Sequence, residues 1–170
     1  MKTHIRKVVF SALNRVVQTE EEQEISLKPD EVLIESRYTC ISAGTELAKL
    51  TGLQKIDFPT CLGNRAVGRV LETGDAVRHV KKGDLVFSHT AHASHVVTND
   101  FVCKLSESLD IPSSATLGMG MVAIVGLQTS GVEMGDKAVV TGAGLVGQFA
   151  AQLLEASGAK TILLDPSKGR

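Results

Sequence analysis

Thr141-Gly142-Ala143-Gly144-Leu145-Val146-Gly147 places three glycines at the G-x-G-x-x-G spacing. The first permits a tight turn, the second lets backbone approach a pyrophosphate, and the third lets a helix pack on a strand. Leu145 and Val146 open that helix, whose N-terminus offers free N–H groups and partial positive charge to phosphates. The chemistry that suits this pattern is dinucleotide binding, with Gly142, Gly144, Leu145, Val146 and Gly147 as contacts. Asp165 follows Gly147 by 18 residues, where a carboxylate accepts hydrogen bonds from an adenosine ribose. Its charge opposes a 2′-phosphate and favours NAD(H). Ser167, Lys168 and Arg170 come next and could hold such a phosphate, so NADP(H) is the second option. A packing-only role for the glycines is the competing reading.

A glycine loop does this only between a strand and a helix. Ala138 to Val140 is a run of the fully buried strand type. Leu145 to Ala156 reads as a helix, ending at Ser157-Gly158 with glycine in the C-terminal position. Thr161 to Leu164 is a second buried strand, which completes a βαβ unit. Upstream, Ile111 to Ser114 can open a helix and Ala115 to Ser130 is long and apolar. Met119 and Met121 there read as core packing.

The first hundred residues read as strands and turns. Val8 to Phe10 is a short β-prone run, and Glu20 to Glu24 is an acidic stretch suited to a solvated loop or edge. From Glu31 the chain alternates. Val32, Ile34, Ser36 and Tyr38 share one side, and Glu31, Leu33, Glu35 and Arg37 the other, as in a half-buried strand. Val67 to Leu71, Asp84 to Phe87, His95 to Thr98 and Phe101 to Leu105 are further short runs, separated by turns at Thr73-Gly74-Asp75 and Lys82-Gly83-Asp84. This spacing predicts a small barrel-like β domain over residues 1–110, followed by an α/β part over 111–170.

Composition narrows the function classes. The 170 residues are 43% hydrophobic, ample for a core. Lys plus Arg number 18 against 19 Asp plus Glu, so phosphate neutralisation along a nucleic acid is not expected. Five Phe, one Tyr and no Trp are too few for a base-stacking platform. No apolar run approaches the roughly 20 residues of a membrane helix. The basic start has too short an apolar core for a secretory signal, so the expected compartment is the cytoplasm. Cys40, Cys61 and Cys103 are widely spaced and suggest neither a disulfide framework nor a cysteine zinc knuckle. His89, His92 and His95 invite a metal reading, but on a strand His92 points away from the other two. Surface or hydrogen-bonded histidines are the better expectation.

These pieces together resemble the medium-chain dehydrogenase/reductase superfamily, the zinc alcohol dehydrogenase and quinone reductase group. The resemblance rests on Asp30 to Ile34, Gly63 to Val70 (GNRAVGRV), Lys82 to Val86 (KGDLV) and Gly135 to Val140 running into the glycine loop. It implies a mixed α/β chain with an N-terminal GroES-like, partly open β-barrel followed by a Rossmann βαβ unit. Tyr38 to Glu46 (YTCISAGTE) is similar to a zinc-lacking branch near bacteriochlorophyllide dehydrogenases. Where zinc members carry a cysteine ligand, this chain has Ser42. Where they carry Gly-His-Glu, it has Gly63-Asn64-Arg65, and the third ligand region reads Leu117-Gly118-Met119-Gly120. Hydroxyl and amide are poor substitutes for thiolate and imidazole, and an arginine repels a dication. The structural-zinc loop is also absent, so neither a catalytic nor a structural zinc is expected. Thr45 matches the hydroxyl that relays a proton in zinc members. With Ser42 it is expected to hydrogen-bond a carbonyl substrate. Cys40 lies in the same stretch and, with no cation bound to be near it, reads as a small buried thiol.

The resemblance implies an NAD(P)(H)-linked, zinc-independent oxidoreductase acting on a small carbonyl, alcohol or enone. A complete dinucleotide fold has six strands, and this chain carries only the first βαβ. The expectation is therefore an N-terminal portion, inactive alone, whose uncovered sheet edges call for a second copy or a completing chain. The alternative is a non-catalytic family remnant that binds a nucleotide or a protein, or only assembles. The two differ in whether a nicotinamide pocket exists.

Overall fold

The computed structural model of the chain describes residues 2–167 and 169. It divides into two compact units, Met1–Ala115 and Thr116–Arg170. Unit 1 runs β1 (Lys2–Ala12), β2 (Arg15–Glu24), β3 (Val32–Thr39), α1 (Ala43–Leu50), β4 (Thr60–Cys61), β5 (Ala66–Thr73), β6 (Leu85–Ser88), β7 (His95–Thr98), β8 (Val102–Lys104) and α2 (Ile111–Ser114). Unit 2 runs α3 (Leu117–Ser130), β9 (Lys137–Thr141), α4 (Leu145–Ala156) and β10 (Lys160–Leu164).

Unit 1 holds two antiparallel sheets, ordered β2-β1-β4 and β7-β3-β5-β6-β8, and neither closes on itself. The acidic stretch Glu20 to Glu24 is the exposed end of β2, an outer strand rather than a loop. It is held there by register: Lys2 faces Glu24, His4 faces Glu22 and Arg6 faces Glu20, while Lys7 forms an ion pair with Glu21. Each exposed pair is worth little alone, but opposite charges across the ladder disfavour a one-residue slip.

β3 corrects the expectation of a half-buried strand. Val32, Leu33 and Ile34 are all buried. Val32 and Ile34 pack against Val70, Val80, Val86 and Val102 on one face, and Leu33 against Ile5, Ile25 and Ala93 on the other. The charged neighbours of Leu33 suggested a solvated face, but residues of β1 and the 89–94 loop cover it. Val67, Leu85, Phe87 and Leu105 form a third cluster with Ala115, which ties α2 to unit 1. Asp110 caps α2, its carboxylate accepting the Ser113 N–H at 2.9 Å.

In unit 2 the glycine loop joins β9 to α4, and β9 pairs in parallel with β10. α4 ends in a Schellman motif: the Ala159 N–H donates to Leu154 O and the Gly158 N–H to Glu155 O, with Gly158 at φ +87°. Both strands were expected to be buried, and they are not. Val139, Ile162 and Leu164 are 59%, 57% and 52% exposed, because a two-stranded sheet has no neighbours to cover its apolar face. Met119 is buried as expected, whereas Met121 is exposed. Among the described residues, no helix is long and apolar enough to cross a membrane.

Candidate functional site

The glycine loop of unit 2 is built by three separate constraints. Gly142 sits at φ +94°, a conformation that costs an L-residue. A Cβ on Gly147 would lie 1.8 Å from Gly142 O, so any side chain there would pry α4 off the loop. Gly144 begins α4 with an ordinary extended backbone and has open space where a side chain would stand. Two glycines are thus required by the fold, while the space at Gly144 leaves room for a ligand to approach backbone. The Leu145 and Val146 side chains are exposed in the first turn of α4.

Asp165 follows β10 and closes the loop. One carboxylate oxygen accepts the Ala143 N–H at 2.8 Å and the other accepts the Ser167 N–H at 2.7 Å. A carboxylate at this position is the chemical group that accepts from ribose hydroxyls. Gln148 reaches back to Ala143 O at 2.9 Å. Ala143, Gln148, Asp165 and Ser167 border a cleft of about 590 Å³. Lys168, expected beside Ser167, lies outside the described residues.

The other predicted residues gather in unit 1, where β3 runs into α1. Ser42 precedes α1 and Thr45 is exposed in its first turn, and neither hydroxyl has a partner among the described residues. Below them lies a polar network. Glu46, 5% exposed, accepts the Ser42 N–H at 2.9 Å through one oxygen and meets His92 Nε2 at 2.8 Å through the other. His92, 6% exposed, places Nδ1 2.8 Å from Thr39 Oγ1. A carboxylate accepts only, so Nε2 carries the proton of that hydrogen bond. The His92 N–H donates to Leu62 O and its carbonyl accepts the Val8 N–H, which fixes the residue on both sides.

The histidines therefore differ from the strand picture. His89 and His92 lie in the loop between β6 and β7, and only His95 is in a strand. His92 is buried and hydrogen-bonded rather than superficial. Glu46 and Thr39 escaped sequence reasoning because they stand 46 and 53 residues from His92.

Cys40 is half-buried, and its N–H donates to Arg65 O at 3.0 Å. Burial pushes the Cys40 thiol above its ordinary range. Arg65 opposes that rise and Glu46 adds to it. Arg65 is half-buried and donates from Nη1 to Asn64 Oδ1 at 2.7 Å. A Cβ on Gly63 would lie 2.6 Å from the His92 nitrogen, so Gly63-Asn64-Arg65 packs directly on the His92 loop.

Residues 28–123 match the alcohol dehydrogenase GroES-like domain. The chain belongs to that family. It is thereby a member of the medium-chain dehydrogenase/reductase superfamily. It is 29% identical over 110 residues to D-guloside 3-dehydrogenase of Escherichia coli, covering 62% of this chain and 31% of that protein. It is 27% identical over 179 residues to D-xylulose reductase A of Aspergillus niger, covering 84% of this chain and 50% of that protein. The matches span between 31% and 54% of the length of the curated relatives. The crystal structure of CAD from Helicobacter pylori complexed with NADP(H) has the same fold, with a TM-score of 0.84, 18% identity, and coverage of 96% of this chain and 59% of that one.

Proposed function

We propose that this chain carries the substrate-side unit and the first dinucleotide-binding unit of a zinc-independent, NAD(P)(H)-dependent oxidoreductase. Residues 1–110 form the GroES-like, substrate-side domain, and residues 111–170 form part of a Rossmann domain. The observation that carries this reading is the glycine loop, with its required Gly142 and Gly147, its open Gly144 and its Asp165 anchor. The backbone of Gly144, Leu145 and Val146 receives the pyrophosphate. Asp165 receives the adenosine ribose and favours NAD(H), while Ser167 and Lys168 offer donors for the 2′-phosphate of NADP(H). When bound, the nicotinamide supplies the hydride chemistry on a small carbonyl, alcohol or enone.

Zinc does not fit unit 1. Ser42 brings a neutral hydroxyl. The Asn64 oxygen already accepts from Arg65, and that guanidinium repels a dication. Ser42 and Thr45 instead present two hydroxyls, unpartnered among the described residues, for a substrate oxygen. The exposed face of β9 and β10 favours a second copy or a completing chain over activity of this chain alone. The test is an amide-resonance titration of the 170-residue chain with NADH. Residues 142–147 and 165 should shift in a saturable way, and shifts confined to other residues would overturn the reading.

A further inference from the structure

We propose that Arg65 is a substrate-holding cation whose guanidinium receives an oxyanion of the substrate, of which a carboxylate is the stable form. This rests on the oxidoreductase reading above and narrows its substrate class. Arg65 and Arg69 are the half-buried arginines among the described residues. Arg69 has a structural counter-ion, with two hydrogen bonds to Glu107 at 2.6 and 2.7 Å. Arg65 has none. Its one side-chain partner is the neutral Asn64 amide, and no carboxylate lies within 4.0 Å of it among the described residues. Glu46, which also acts on the Cys40 thiol, points its two oxygens at the Ser42 N–H and His92 and forms no ion pair with Arg65 among the described residues. A half-buried guanidinium without a counter-ion keeps N–H donors available to an anion.

Committing Asn64 Oδ1 to Arg65 leaves the Asn64 amide N–H groups as further donors. The Ser42 and Thr45 hydroxyls at the start of α1 have no partner among the described residues. Planar N–H pairs of this kind match a carboxylate in a bidentate way that a lysine ammonium does not.

Cys40 supplies a local reporter, because its backbone bonds Arg65 and its thiol senses that charge. The experiment measures iodoacetamide alkylation of Cys40 in the 170-residue chain against pH, read by peptide mass spectrometry that separates it from Cys61 and Cys103. Oxalate is the probe, with neutral oxamide and with chloride at matched ionic strength as controls. Oxalate should slow Cys40 alkylation in a saturable way, roughly three- to tenfold, by neutralising Arg65 and occupying the space beside the thiol. Arg65→Gln should abolish that response and Arg65→Lys should keep part of it, with thermal melts confirming that both variants fold. Either no saturable oxalate effect in the parent chain, or an equal effect in Arg65→Gln, overturns the proposal. NADH titration in parallel keeps the two claims apart. An oxalate response without cofactor binding would sink the dehydrogenase reading alone, and cofactor binding without an oxalate response would sink the Arg65 proposal alone.

Discussion

Glu46 and His92 show how much one pair of residues can carry. Both are buried, and Glu46 serves the start of α1 and the 89–94 loop at once. Removing its carboxylate strands a backbone N–H and an imidazole nitrogen together. Glu46→Ala should therefore lower the stability of unit 1 by about 2–3 kcal/mol in a denaturant titration. Glu46→Gln, which keeps an acceptor for Ser42, should lose less, and equal losses would show that the hydrogen bonds do not matter. The sequence named Ser42 and Thr45 beside this pair but not the pair itself. Their spacing along the chain carries no periodic trace, since only the packing of α1 against the 89–94 loop joins them. Arg65 was visible in the sequence as a departure from a zinc pattern. Its lack of a carboxylate partner was not, because that depends on where Glu46 and Glu107 point their oxygens.

At the scale of elements, the glycine loop separates a fold requirement from a ligand requirement. Gly147→Ala places a methyl 1.8 Å from Gly142 O and should cost about 2–3 kcal/mol in unit 2, because backbone must move. Gly144→Ala meets nothing and should cost about 1 kcal/mol or less. Yet it should weaken NADH binding, since the methyl intrudes where the pyrophosphate approaches. Thermal melts and cofactor titration of the two variants check this, and the reverse ordering of stability would contradict it. The loop and α4 were legible in the sequence to the residue, since glycine spacing, apolar run and Gly158 all agree there. Burial was less legible. β9 and β10 have the composition of covered strands, but composition records the preference for cover and not whether cover is present. β3 erred the other way, because the charges flanking Leu33 hid a contact made by distant Ile5 and Ile25.

Charge and exposed surface act on the molecule as a whole. The Lys104 ammonium bonded to Asp84, 2.7 Å away, holds that carboxyl below its usual range. The bidentate Arg69 does the same for Glu107, and Ser113 does so for Asp110, through its side chain first and its backbone N–H second. Each group binds its proton less readily in the folded state than in the unfolded one. Their contribution is therefore complete at neutral pH and drains away as pH falls through about 4 and below. The melting temperature should drop across that window, and Asp84→Asn should flatten the drop while lowering stability at pH 7. A curve unchanged by Asp84→Asn would exclude this pair as a source of acid lability. Exposed Val139, Ile162 and Leu164 predict association of the chain at high concentration, read as a sedimentation mass above the 18.0 kDa monomer. Ile162→Glu should shift it toward monomer. The central claim remains that unit 2 binds a nicotinamide dinucleotide through its glycine loop. Calorimetric titration of the 170-residue chain with NADH and then NADPH, recording oligomeric state alongside, tests it most directly. Saturable binding is expected, tighter for NADH, and Gly144→Ala should weaken it without unfolding the protein. No heat of binding at millimolar cofactor would contradict it and leave the loop as a packing device.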